Sequence, residues 1–138
     1  MNNLIMLDTH VLLWVLMDSK EIKDSVKKQI KLAQKNNKLI ISSISLWEIA
    51  MLYSKKRLDV YEPIEQYLKS ISQIDGMQIS DISSQIAATS VSLGDDFHGD
   101  PADRIISATA KINNATLYTR DKKILAWAKM GGVKFLKI

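Results

Sequence analysis

Asp8, Glu48, Asp103 and Asp121 are far apart in the chain, yet their local settings point to one place. Asp8 ends a short apolar run at residues 4–7, and Asp121 closely follows another at 115–118. Glu48 and Asp103 stand in the first turns of helical stretches. If the apolar runs are parallel strands, their carboxyl ends share the sheet edge at which open α/β sheets bind ligands. Four carboxylates gathered there repel one another, and helix N-termini relieve only part of the cost. A divalent cation is the economical counter-charge. An all-oxygen donor set in a chain without cysteine favours Mg²⁺ or Mn²⁺ over structural zinc. Such an ion activates water and steadies a leaving oxygen, which is chemistry suited to hydrolysing a phosphodiester.

Each acid also has a local explanation. Asp8 suits the N-cap of the helix that follows it. Ser45 and Glu48, in Ser-Leu-Trp-Glu, fit a capping box. Asp100 before Pro101 suits an N-cap with proline at the first helical position, which puts Asp103 third in a related box. Asp121 caps or enters the last helix. Taken singly, capping is the commoner role; the combination is what asks for an ion. Thr9 and Thr119, each beside one of these acids, either position solvent and phosphate oxygens or act as local caps. Arg104 and Arg120 adjoin Asp103 and Asp121, where a guanidinium holds a phosphate or restrains a carboxylate, with a structural ion pair equally open. His10 and His98 are the two histidines, and a structural role outweighs catalysis at both, although His98 in a Gly-Asp loop is placed to orient water.

The elements that must present these side chains can be read from periodicity. Short apolar runs at 4–7, 39–41, 115–118 and 133–136 read as buried strands, and 77–79 as a strand or an extended link. Between them, residues 10–16, 21–34, 44–53, 82–93, 101–112 and 121–129 read as helices, as does a stretch with Pro63 in its first turn. Asn36 and Asn37 stop the second helix, residues 94–99 form a polar loop, and Gly131 and Gly132 break the last helix. Short strands alternating with helices predict an α/β sandwich with a mainly parallel sheet. At 138 residues without a linker or repeat, the expectation is one domain spanning 1–138, and 46% apolar residues are enough to build its core.

Lys and Arg number 19 against 15 Asp and Glu, a net charge of +4. With the four acids set aside the remainder carries +8, the balance expected if a polyanion approaches an acidic, metal-filled pocket. Lys27, Lys28, Lys31, Lys35 and Lys38 read as a solvated helix face, with Lys55, Lys56 and Arg57 as a second patch. Trp14, Trp47 and Trp127 read as core or interface, since no local motif interleaves them with basic residues. No phosphate-binding glycine loop, HExxH or GxSxG is present. No run approaches the length of a membrane span, so a soluble cytoplasmic protein with no membrane partner is the expectation.

Four stretches, MLDTHVLLWVL at 6–16, ISSISLWEIAML at 41–52, HGDPADRIISATA at 98–110 and LYTRDKKIL at 117–125, together resemble the PIN-domain ribonucleases. Within them, the chain is most similar to VapC-like toxins of bacterial type II toxin-antitoxin pairs. The stretches keep the family's order across nearly the whole chain, and that combination is far more specific than any fragment. The resemblance implies a three-layer α/β sandwich with a central mainly parallel sheet, an acidic Mg²⁺ pocket that also accepts Mn²⁺, and endonucleolytic cleavage of RNA. It further implies a cognate antitoxin whose tail covers the active groove, and a homodimer. It assigns ion and water coordination to Asp8, Glu48 and Asp103, completion of the site to Asp121, solvent positioning to Thr9 or Thr119, and an auxiliary or capping role to Asp100. Ala102 stands where related toxins often carry an aromatic residue, and Ser107 interrupts the usual small apolar pattern. Two other classes remain open: a non-catalytic interaction module that keeps the fold, and a phospho-receiver domain.

Overall fold

The computed structural model describes residues 3–95, 97 and 99–138. Five parallel strands, β1 (Ile5–Leu7), β2 (Leu39–Ser42), β3 (Met77–Ser80), β4 (Thr116–Thr119) and β5 (Phe135–Lys137), form one sheet in the order β3-β2-β1-β4-β5. The helices are α1 (Thr9–Leu16), α2 (Asp24–Lys35), α3 (Ile44–Ser54), α4 (Ile64–Ser72), α5 (Ser84–Ser90), α6 (Pro101–Ile112) and α7 (Lys122–Lys129). Alternation along the strands builds two cores. Met6, Ile40 and Leu117 face Ile86, Ile106, Ile124 and Trp127 of α5, α6 and α7. Leu7, Leu39, Ile41 and Tyr118 face Leu12, Ile30, Ile49 and Ile71 of α1 to α4. Both sheet faces are covered, which explains why the strands read as continuous apolar runs. The expected three-layer α/β sandwich is the fold observed.

Chain order fixes where a site can form. From β1 the chain steps outward through β2 to β3, then returns across the sheet to β4 on the other side of β1. The carboxyl ends of β1 and β4 therefore lie side by side at the reversal, where a doubly wound sheet opens a crevice.

Local chemistry sets most helix starts. Asp8 caps α1 by accepting the Val11 amide at 2.9 Å, and Asp121 caps α7 by accepting the Ile124 amide at 2.9 Å. Asp100 and Asp103 form the expected reciprocal capping box at α6, with Pro101 at its first position. The box expected from Ser45 and Glu48 does not form. α3 starts earlier with Ser43 at its N-cap, and the buried Ser45 hydroxyl bonds Thr9 at 2.9 Å instead. Pro63 is the N-cap of α4, one place before its first turn, and α2 begins only at Asp24, leaving Ile22 buried ahead of it.

The stretch 94–99, expected to be a polar loop, is anchored by an apolar side chain. Phe97 is 2% exposed and meets Trp127 edge-on at 5.4 Å between ring centroids. A Cβ added at Gly99 would strike the Phe97 ring and come within 2.7 Å of Asp103 Cβ. Glycine there lets the anchored loop press against the start of α6. No helix among the described residues is long and apolar enough to cross a membrane.

Ser107, one turn beyond Asp103, is fully buried, and its hydroxyl lacks a hydrogen-bond partner among the described residues. An unsatisfied buried hydroxyl costs about 1–3 kcal/mol, and alanine is also the better helix former. Ser107→Ala is therefore expected to raise stability by about 1 kcal/mol in urea denaturation; a lower midpoint would show that the hydroxyl is bonded in solution.

Candidate metal centre

A cleft of about 320 Å³ opens at the β1/β4 reversal and is lined by Asp8, Glu48, Asp100, Asp103 and Asp121, together with Thr9, His10 and Arg120. Asp8 sits immediately after β1 and is 6% exposed. Its Oδ1 accepts the Val11 amide and its Oδ2 accepts the Thr119 hydroxyl. Thr119 ends β4, is fully buried, and its Oγ1 also accepts the Asp121 amide at 3.0 Å. One threonine thus ties together the acids that follow two neighbouring strands. Glu48 enters from α3 and accepts the Thr9 hydroxyl. Asp103 enters from α6, where one of its oxygens accepts the Asp100 amide at 3.3 Å. The N-termini of α1, α6 and α7 all carry carboxylates of this cleft, so three helix dipoles offset part of its negative charge.

The offset is incomplete. Burial pushes the Asp103 carboxyl from its ordinary 3.8 to about 7, reinforced by the negative charges of Asp121, Asp100 and Glu48. Burial likewise raises Asp8, against the opposing hydrogen bonds from Thr119 and Val11. Glu48 is raised by burial and by Asp100 and Asp8, with the Thr9 hydroxyl acting the other way. Three acids that hold protons above their usual range make a site short of positive charge.

The donor set fits a hard divalent cation. Every candidate ligand is an oxygen, and a cation would relieve the repulsion that raises the three carboxyls. Among the described residues, no three acids or histidines close into a tight all-protein cage. Mg²⁺ does not require one, because it commonly takes one or two carboxylates and keeps several waters. Asp8, Glu48, Asp103 and Asp121 are the oxygen donors this cleft offers, of which an ion could take one or two directly and meet the others through its waters.

The other candidates divide. Thr9 and Thr119 orient carboxylates. His10 is exposed at the rim. His98 lies outside the described residues. Arg104 does not line the cleft; it donates to the carbonyls of Phe97 at 3.0 Å and Ser90 at 3.5 Å and lies over the Phe97 ring, so it braces the loop ahead of α6. Arg120 does line the cleft but is engaged with Glu21 and the Ile138 carbonyl, and stacks over Trp14 at 4.4 Å. Trp14, read only as core or interface, is half-buried and forms part of the cleft wall. Its spacing of four residues from His10 on one helix is the signal that places both at one rim.

Comparison with known proteins agrees with this architecture. Residues 5–130 match the PIN domain family. The chain is 30% identical over 120 residues to ribonuclease VapC22 of Mycobacterium tuberculosis, covering 87% of this chain and 88% of that protein. A toxin-antitoxin complex from Klebsiella pneumoniae contains a chain 26% identical, with a TM-score of 0.62 and coverage of 97% and 99%. VapBC2 from Rickettsia felis, bound to a DNA fragment from its promoter, contains a chain of the same fold at 22% identity and a TM-score of 0.68, with coverage of 97% and 98%. The chain belongs to the PIN-domain family and is homologous to VapC-type toxins.

Two outcomes follow from the electrostatics. In the unfolded chain Asp103 loses its proton near 3.8, whereas in the metal-free fold it keeps it until about 7. The folded state therefore binds more protons across that window, and this group's contribution to stability falls as pH rises through it, with Asp8 and Glu48 acting in the same sense. Denaturation in EDTA should give lower stability at pH 8 than at pH 5, and Asp103→Asn should flatten the slope by on the order of 1 kcal/mol after solvent screening. Stability that rises over this range would contradict the assignment. Thr119→Val removes the hydroxyl from Asp8 and an acceptor from Asp121; it should weaken Mn²⁺ binding about 10- to 100-fold by calorimetric titration, while an unchanged affinity would remove Thr119 from the site.

Proposed function

We propose that this PIN-domain chain is a Mg²⁺-dependent endoribonuclease toxin, able to use Mn²⁺, that hydrolyses RNA phosphodiester bonds and is held inactive by a cognate antitoxin. The observation that carries this reading is the convergence of Asp8, Glu48, Asp103 and Asp121, from four separate elements, in one cleft where burial and mutual repulsion raise three of the carboxyls. The naming of a VapC22 relative as a ribonuclease, and the occurrence of a similar chain in a toxin-antitoxin complex, support the activity and the partner. A homodimer in the cytoplasm remains part of the proposal through the family resemblance.

A divalent ion in the cleft supplies positive charge for the phosphate oxygens and makes water a competent nucleophile near neutral pH. The chain supplies the positioning. The Val11 amide and the Thr119 hydroxyl fix both oxygens of Asp8, so this buried carboxylate meets a cation without first searching rotamers. The hydroxyl of Thr9, the residue after Asp8, holds Glu48. Asp103, whose carboxyl burial and the neighbouring acids push up to about 7, would have to give up its proton to act as a ligand. Arg120 and Trp14 pack together at the rim, limiting how the substrate approaches.

Purified protein is expected to cleave RNA with Mg²⁺ or Mn²⁺ and to stop in EDTA. Asp8→Asn keeps a residue able to cap α1, so the fold should survive while turnover falls beyond the ~10- to 100-fold that loss of an outer partner costs. Intact RNA across a broad substrate panel, from a folded protein that binds Mn²⁺, would leave the non-catalytic interaction module as the better reading. A stable acyl phosphate formed on one aspartate after acetyl phosphate treatment would favour the receiver-domain reading.

A further inference from the structure

Beside the acidic cleft lies a second groove of about 300 Å³, and the two share Thr9, His10, Glu48 and Asp100 along their common border. Its outer wall is built from one face of α3. Trp47, Met51 and Lys55 recur every fourth residue, so the helix sets an indole, a thioether and an ammonium group in a row. Trp47 is 56% exposed, a large apolar surface with no core to fill. Arg57 is brought back to the same wall by the end of the helix. Lys56 turns the chain at φ +58°, and the Arg57 amide bonds the Leu52 carbonyl at 2.9 Å, a closure that usually places glycine at the turning residue. Neither Lys55 nor Arg57 has an acidic partner among the described residues, where the ion pairs are Lys27 with Asp18 and Arg120 with Glu21.

Two cations with no acidic partner among the described residues, and an open indole, beside a strongly acidic cleft suit a ligand that is anionic along its length and aromatic at intervals. A strand cut in the cleft must leave across the rim. On one side Arg120 is already engaged with Glu21 and the Ile138 carbonyl, whereas on the Trp47 side Lys55 and Arg57 have no acidic partner among the described residues. We infer that this groove binds a nucleotide of single-stranded RNA next to the scissile phosphate, its base stacked on Trp47 and its backbone phosphate held by Lys55 and Arg57. This subsite rests on the nuclease reading above. Stacking on an aromatic side chain tolerates any base, so the groove adds affinity for unpaired RNA without specifying a sequence.

The test separates binding from cleavage. In EDTA, a single-stranded RNA 12-mer titrated against wild-type protein should quench tryptophan fluorescence. Trp47→Phe should lose most of that quench while keeping affinity within about twofold. Trp47→Ala and the Lys55→Ala/Arg57→Ala pair should each weaken binding about tenfold. With Mg²⁺ present, Trp47→Ala should raise KM on the same RNA about tenfold with little change in kcat. Wild-type affinity in Trp47→Ala would overturn the subsite. A fall in kcat as large as the rise in KM, or a changed oligomeric state by sedimentation, would also overturn it, in favour of a structural role or a second copy of the chain. If the wild-type protein cleaves no RNA, the nuclease reading fails by itself, and the EDTA titration still decides the groove.

Discussion

Burying one carboxylate among others is the constraint on which this structure turns. Asp8 lies almost out of solvent where β1 and β4 end, and water cannot stabilise its charge there. Its oxygens are instead satisfied by an amide three residues ahead and by a hydroxyl on the neighbouring strand. The sheet order follows the same need. Only a chain that reverses between β1 and β4 brings Thr119 to Asp8, and Asp121, two residues further on, is tied to the same threonine through its own amide. Around them, helix starts face the cleft with their positive ends, and the repulsion they leave uncancelled is what a divalent cation would relieve.

What was legible in the sequence was local. The caps at Asp8, Asp100 and Asp121 depend on bonds to residues three positions away, so sequence spacing reveals them. The strands announce themselves because both faces of the sheet are covered. The capping box expected from Ser45 and Glu48 fails for the opposite reason. The partner of Glu48 is Thr9, 39 residues earlier, and nothing in Ser-Leu-Trp-Glu signals that contact. Phe97 was hidden among glycines and aspartates, although it anchors the loop ahead of α6. Arg104 and Arg120 looked alike because each adjoins an acid; the fold turns the first towards loop carbonyls and sets the second along the cleft rim. Adjacency in a helix or turn says little about direction.

α3 shows how one element can serve two faces. Glu48 turns towards the acidic cleft and Trp47, its immediate neighbour, lies open to solvent in the adjoining groove. Consecutive helical residues point about 100° apart, so the two surfaces meet along an edge without competing for the same space. The basic residues that complete the groove come two turns later, too far from Trp47 for a short motif to join them.

The local caps bear on how quickly the centre is ready. Asp8 and Asp121 are held by bonds inside their own helix starts, and the Asp100 and Asp103 pair by its own box. These arms take shape as their helices form, before any ion arrives. A divalent cation entering this cleft would therefore find little backbone to rearrange, and the slow event on loading would be the partial shedding of its own hydration shell.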